Sequence, residues 1–334
     1  MFKKIFSKSV DTILYCGDNI DGYYNLKYWI PEFMKSQINF SMLVRDETLY
    51  KALKNDYFML KVIYAKSAKN LDDSFSKLHD LKRIFYITNA SNNIHPLSFM
   101  QYKHIFIGTE HFDRDDQVTK MLRAYDELWL SSQASIDKIK SYFDVDELSI
   151  KLIGKPQLQN LSKYSKKNPK SVLFTLSTLS FDIKLISDIL SNLSNDEYIV
   201  DILLNDDIEK NNPFFKNIKN QLLEYILLNH LKCNIISAVS DENINKYETV
   251  ICDAYTYNYK FLALDTKIYI YIKKDENINT IFPTKYISFD GLYQFDSSIE
   301  LKELLKKSDF MKEEREKFVE YWIGDKLNSI SNFI

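Results

Sequence analysis

Glycine is scarce in this 334-residue sequence, with six residues, and proline is no commoner. Such scarcity excludes collagen-like, linker-rich and glycine-loop-rich designs. The three cysteines, Cys16, Cys233 and Cys252, are odd in number and far apart, so they form no disulfide framework. No CxxC or Cys/His cluster offers a zinc site. Each cysteine lies in or beside an apolar run, as buried free thiols do in a reducing compartment. No stretch approaches the ~18–20 uncharged apolar residues that cross a bilayer. The basic start MFKKIFSKS lacks the apolar core of a signal peptide, and a cytoplasmic protein is expected. A formal charge of −2 lacks the basic excess of a nucleic-acid binder. What remains is an ordinary globular composition in a chain long for one core, so two α/β domains are expected.

The densest chemistry lies between Arg83 and Gln133. Three short apolar runs, Ile84–Ile87, Ile105–Ile107 and Leu128–Leu130, break straight into polar loops. Such runs read as buried parallel strands with functional C-terminal ends. The first loop carries Asn89, Asn93 and His95; the second carries Thr109, Glu110, His111, Asp113 and Arg114. His111, beside two acids and an arginine, has the residue type that exchanges protons near neutral pH. His104 opens a strand and falls at the opposite end of the sheet. His79 and His230 are expected within helices.

Taken in order, Thr12–Tyr15 is the first strand, and the loop Cys16–Gly22 follows it. A helix over Tyr23–Lys35 is kinked or restarted at Pro31. Strands follow at Phe40–Val44 and Leu60–Tyr64, then a helix over Leu71–Leu81. After the three central strands come a helix over Ser132–Tyr142, with Ser132 as N-cap, and a strand over Leu148–Ile153. The polar segment 157–170 reads as a linker. The pattern then restarts with strands at Ser171–Phe174, Tyr198–Leu204, Asn234–Ile236, Thr249–Cys252, Ile268–Ile272 and Tyr286–Phe289. Helices are expected over Asp182–Ser191, Phe214–Leu231, Thr256–Leu264, Ser298–Lys307 and Met311–Ile323. Strands alternating with helices imply right-handed crossovers and parallel sheets. The expected fold class is therefore α/β, with two Rossmann-type parallel-sheet domains facing across a cleft.

Several motifs admit a plain and a functional reading. Gly17-Asp18-Asn19-Ile20-Asp21-Gly22 is not GxGxxG; it reads as a glycine-assisted turn or as an acceptor-side loop. Asp113-Arg114-Asp115 and Asp144-Val145-Asp146 have the form of metal pairs, but solvated turns explain them as well, and no metal is expected. After the strand at Thr249–Cys252, the turn Asp253-Ala254-Tyr255-Thr256 opens a helix whose free N–H groups suit a diphosphate. Thr256 either caps that helix or donates to a phosphate.

Taken together, these segments resemble the CDP-glycerol glycerophosphotransferase family of teichoic-acid and capsule transferases. YCGDNIDGYYNLKYWIPEF is similar to that family's N-terminal strand and helix, and ITNASNNIHPL to its N-x-x-x-N-I-H loop. KHIFIGTEHFDRDD resembles its H-G-D-S-D-K loop, and AYDELWLSSQASIDKI the strand after it. IGKPQL resembles G-R-P-Q-L, and ETVICDAYTYNYKFLALDTKIYIY the strand, D-Y-S-S turn and helix of its second domain.

The resemblance implies a GT-B architecture: an acceptor-side domain over 1–156, the linker 157–170, a nucleotide-donor domain over 171–310, and a C-terminal helix over 311–334 packing back on the first. It implies transfer of a phosphopolyol from a CDP-activated donor to a glycan hydroxyl, without metal or cofactor. The donor or acceptor would be held by Gly17, Asn93, His95, Thr109, Arg114, Lys155, Asp253, Tyr255 and Thr256. Without gaps, Thr109 occupies the family's catalytic histidine position, so His111 or Glu110, with Asp113, is expected to act as base. A nucleotide-sugar glycosyltransferase and a non-catalytic binding member are the rival readings. A lipid-linked acceptor implies peripheral association at the inner face of the membrane.

Overall fold

The computed structural model describes residues 9–108, 118–158, 166–176, 181–204, 213–240, 243–253, 260–274, 291–324 and 330–333. The chain divides into two compact units. Unit 1 comprises Met1–Gln157 with Tyr321–Ile334, and unit 2 comprises Leu158–Glu320.

Unit 1 is built on seven parallel strands: β1 (Thr12–Cys16), β2 (Phe40–Val44), β3 (Val62–Tyr64), β4 (Arg83–Tyr86), β5 (Lys103–Phe106), β6 (Glu127–Leu130) and β7 (Ser149–Leu152). They are ordered β3-β2-β1-β4-β5-β6-β7. The apolar runs follow from burial on both faces. Ile13, Tyr15, Ile84, Tyr86 and Leu128 enter one core. Leu14, Cys16, Phe85, Ile105 and Trp129 enter the other. Helix α1 (Gly22–Lys35) covers the second core with Leu26, Trp29, Ile30 and Phe33, and it runs through Pro31 without a restart.

Helix α2 (Glu47–Asp56) was not apparent in the sequence. Its first turn is closed by Asp46, whose Oδ1 accepts from the Leu49 amide at 2.7 Å. Of its ten residues only Leu49 and Leu53 are buried, so the apolar signature is two residues long. Helix α3 (Ala68–Phe75) starts earlier than expected because Ser67 and Asn70 form a capping box. It stops at Phe75, which leaves His79 in an exposed turn rather than in a helix. A single turn, α4, spans Ile94–Leu97. Helix α5 (Gln133–Tyr142) begins at Ser132, whose side chain accepts from the Ser135 amide.

Unit 2 has six parallel strands: β8 (Asn168–Thr175), β9 (Ile199–Leu203), β10 (Cys233–Ile236), β11 (Tyr247–Asp253), β12 (Lys267–Tyr271) and β13 (Tyr293–Phe295). Their order is β10-β9-β8-β11-β12-β13. Strand β8 starts inside the segment expected to be linker, because its first three residues, Asn168, Pro169 and Lys170, are exposed and carry no apolar run. Its register with β11 shifts between Tyr247 and Thr249, and Lys170 takes φ +57°. The helices are α6 (Ile183–Asn195), α7 (Pro213–Leu228), α8 (Lys260–Ala263), α9 (Ser298–Leu305) and α10 (Lys312–Trp322). Ile186, Ile189, Leu190 and Leu222 pack against Val172, Phe174, Ile202 and Ile251 in the core. Helix α7 ends at Leu228, so His230 lies in an exposed turn at φ +50°, not in the helix. The expected strand Tyr286–Phe289 lies outside the described residues. The edge strand β13 was not expected, since three residues carry too little pattern.

Beside that edge, Arg315 is 1% exposed and donates to Asp265 and Asp309 at 2.7 Å each. Gly291, at φ +80°, lies so close that a Cβ there would stand 2.7 Å from the Arg315 Cα. Among the described residues no helix is long and apolar enough to cross a membrane.

Candidate functional site

In unit 1 the strand order reverses between β1 and β4, and a crevice opens beyond the C-terminal ends of such a pair. The loops that leave β1 and β4 enclose a cavity of about 480 Å³, lined by Gly17, Asp18, Asp21, Asn25, Thr88 and Asn92 among others. That volume falls in the range of small-molecule sites.

The loops are tied together from below. Tyr15 Oη donates to the Asn92 carbonyl at 2.9 Å, and Asn92 Nδ2 donates to the Gly17 carbonyl at 2.9 Å. This closeness requires glycine: a Cβ at Gly17 would stand 2.9 Å from the Asn92 Cβ. Gly22 is equally constrained, since its Cβ would meet the Cys16 sulfur at 2.5 Å. Asn93 lies behind the wall and is 1% exposed. Its Nδ2 donates to the Thr88 carbonyl at 2.6 Å and to Tyr125 Oη at 2.8 Å. Tyr125 Oη donates in turn to Asn89 Oδ1, and Asn89 Nδ2 to Thr119 Oγ1.

Burial lifts the Asp18 carboxyl above the ordinary carboxylate range. The Thr88 hydroxyl nearby opposes that shift, and the charge of Asp21 adds to it. Burial also raises Tyr15 and Cys16, so both stay protonated at neutral pH. The cavity is therefore walled by hydroxyls, amides and two carboxyls. Such a lining can orient a ligand rich in hydroxyl groups, and Asp18 is disposed to share or accept a proton.

The other expected residues fall elsewhere. His95, on α4, bonds Asp72 Oδ1 through Nε2 at 2.8 Å and sets its ring edge-on to Phe99. His104 is buried in β5. Its Nε2 faces the Phe99 carbonyl at 3.1 Å, so Nε2 carries the proton and Nδ1 accepts from Tyr86 Oη at 2.8 Å. Burial lowers its pKa, which keeps it neutral and structural. Lys155, 9% exposed, follows the C-terminal end of β7, and Asp253, fully buried, ends β11. In unit 2 the strand order reverses between β8 and β11, so Asp253 marks the corresponding position there. Thr109, Glu110, His111, Asp113 and Arg114 lie outside the described residues, as do Tyr255 and Thr256.

Among the described residues no group of three or more His, Cys, Asp or Glu side chains is placed to hold a metal. Asp144 accepts from the Asp146 amide at 3.0 Å, which makes that pair a turn. Asp18, Asp21, Thr88 and Asn92 were not singled out from sequence. The available signal was the run Gly17–Gly22 directly after the first strand, within which only Gly17 was chosen, and Gly17 does line the cavity.

No protein-family profile and no curated protein sequence matches this chain. Solved structures do. The UDP-GlcNAc 2-epimerase of Neisseria meningitidis, bound to UDP-GlcNAc, superposes with a TM-score of 0.61 at 10% identity, over 97% of this chain and 96% of that one. The wall teichoic acid polymerase TagF, soaked with CDPG, gives 0.56 at 14% identity over 97% and 87%. Anabaena HepE, in complex with UDP and glucose, gives 0.51 at 10% identity over 93% and 95%. At these identities the likeness is one of fold. The chain has the two-domain, Rossmann-like GT-B fold.

Proposed function

We propose that this protein is a transferase that moves a phosphopolyol group, of the glycerol phosphate kind, from a CDP-activated donor to a glycan hydroxyl in cell-envelope polymer synthesis. The observation that carries this reading is the unit 1 crevice, a cavity of small-ligand size lined by hydroxyls, amides and carboxyls that suit an acceptor hydroxyl. The sequence segments similar to CDP-glycerol glycerophosphotransferases support the donor class, as does the likeness to a polymerase structure soaked with CDPG.

In this reaction the acceptor O–H loses its proton to a base, for which His111 or Glu110, oriented by Asp113, is the sequence's offer. The freed oxygen attacks the phosphorus that bears the polyol. A new P–O bond forms, the bridging P–O bond of the diphosphate breaks, and CMP leaves with the electron pair. Arg114 and Lys155 supply cations for the phosphates, with N–H groups near Thr256 beyond Asp253 and Tyr255. Thr109 stands where the family has its histidine, and the assignment of His111 or Glu110 rests on that departure. The donor is itself the substrate, and no separate cofactor is assigned.

Incubation of the purified protein with CDP-glycerol and a glycan panel tests this directly. The expected product gains mass with phosphorus, and CMP is released. His111→Ala and Glu110→Gln together should abolish turnover, while unaltered activity in both would remove them as bases. Neighbours bound to UDP-GlcNAc or UDP favour a second reading, glycosyl transfer from a nucleotide sugar, in which the product gains a sugar mass without phosphorus.

A further inference from the structure

We infer that unit 1 carries a second binding site, at the N-terminal end of its sheet, for a small phosphate monoester borne on an apolar group. This site lies at the opposite end of the strands from the crevice, and its test does not depend on transferase activity.

A cavity of about 190 Å³ opens there, lined by Lys82, Arg83, Lys103, Ile105, Glu127 and Phe333. Strand register brings these groups together. Arg83 opens β4 and pairs with Lys103, which opens β5, while Ile105 pairs with Glu127 of β6. Adjacent strands lie ~4.8 Å apart, so Arg83 and Lys103 are like charges side by side on one face. Such a pair costs stability unless an anion lies among its members.

The carboxylate at hand is already shared. Glu127 accepts from Lys103 at 2.6 Å through Oε1, and from Trp129 Nε1 at 2.8 Å and Lys151 at 3.1 Å through Oε2. One negative charge thus serves two lysines before Lys82 and Arg83 are counted. Among the described residues, neither of those two forms an ion pair. The surplus of positive charge matches a phosphate monoester, a dianion near neutral pH, better than a single carboxylate. The Arg83 guanidinium supplies paired N–H donors for its oxygens.

Apolar surface makes up the rest of the wall. Ile105 is buried, and the Phe333 ring packs 5.5 Å from Trp129. Phe333 is held in place by Lys151, which donates to its carbonyl at 3.2 Å. A bare inorganic ion leaves that surface in contact with water, whereas a ligand with an aromatic or hydrocarbon part covers it. The volume falls below the ~300–1,000 Å³ of larger ligand sites, so the cavity suits a compact monoester and not a nucleotide.

Calorimetric titration of the full chain with phenyl phosphate, inorganic phosphate and phenol tests the assignment. Phenyl phosphate should bind about tenfold or more tightly than either of the others, because it alone engages both the cations and the apolar wall. Arg83→Gln should weaken it about tenfold, and Lys82→Gln about threefold. Lys82 stands at the exposed rim, so its substitution reports on the site even if Arg83→Gln disturbs the sheet. Phe333→Ala should bring phenyl phosphate down to the affinity of inorganic phosphate. Saturating CDP should change none of these values. Failure of the wild type to bind phenyl phosphate, or an affinity untouched by both cation substitutions, would overturn the proposal. So would displacement of the probe by CDP, which would assign it to a nucleotide site.

Discussion

At the N-terminal end of the unit 1 sheet, Glu127 accepts from Lys103 at 2.6 Å, Trp129 Nε1 at 2.8 Å and Lys151 at 3.1 Å. In unit 2, Asp201 in the middle of β9 accepts from Lys246 and Tyr247 at 2.7 Å and from Asn234 at 2.9 Å. In both, burial works to raise the carboxyl, and the donors overcome it and hold it below its ordinary value. Asp18, at the opposite end of the unit 1 sheet, is shifted the other way. Each unit thus holds one comfortable anion among donors in its sheet. Unit 1 keeps an uncomfortable one where its crevice opens, as functional sites commonly do. Unit 2 adds a clamp of its own at the sheet edge, Arg315.

The largest effect that would set the units apart is expected from Arg315→Met. It leaves Asp309 and Asp265 without their shared cation, at a cost of about 2–3 kcal/mol after allowance for the exposure of Asp265. Chemical denaturation followed by hydrogen exchange should show unit 2 opening first; loss of protection confined to unit 1 would refute the clamp. Glu127→Gln and Asp201→Asn come next, each expected to cost about 1–2 kcal/mol at pH 7. Both carboxyls have lowered folded pKa values. Their contribution is therefore fully present above the unfolded values near pH 4 and is lost as pH falls through the folded ones. The wild type should lose its advantage over each variant as pH falls below about 4. A cost from one substitution without the other would break the parallel between the units.

The smallest effect has the opposite sign. A raised folded pKa means that Asp18 stabilises the fold only at low pH, and that contribution is lost as pH rises through the folded value. Asp18→Asn should therefore gain about 0.5–1 kcal/mol at pH 7, and little below pH ~3.5. Thermal melts across that pH range measure it. A loss of stability at pH 7 would show that Asp18 is held comfortably after all.

Strands such as β1 and β2 were legible because they are largely apolar runs of five residues, TILYC and FSMLV, that need no partner to be recognised. Elements with little apolar content were not. Helix α2 turns on two leucines, β13 on three residues, and the start of β8 is disguised by lysine and proline. The site was legible in part. Gly17, marked by its place after the first strand, lines the cavity, and its loop reads as a glycine-assisted turn or an acceptor-side loop. Asp18 meets Thr88 and Gly17 meets Asn92 only through the sheet, more than 60 residues apart in sequence, and no local pattern encodes such a meeting. The choice of Asn93 over Asn92 shows the limit plainly. Adjacent asparagines look alike in a sequence, yet one lines the cavity and the other props the wall.

Unit 1 is finished by residues that lie beyond the whole of unit 2. Gly324, at φ +75°, packs so tightly that a Cβ would stand 2.1 Å from the Ser131 carbonyl oxygen. The Phe333 ring lies 5.5 Å from Trp129, and its carbonyl accepts from Lys151 at 3.2 Å. On the ribosome those closing residues emerge only after Leu158–Glu320 have been made, a wait on the order of ten seconds or more. Throughout that interval the nascent first half exposes an apolar face around Trp129, which makes it a natural client for a chaperone.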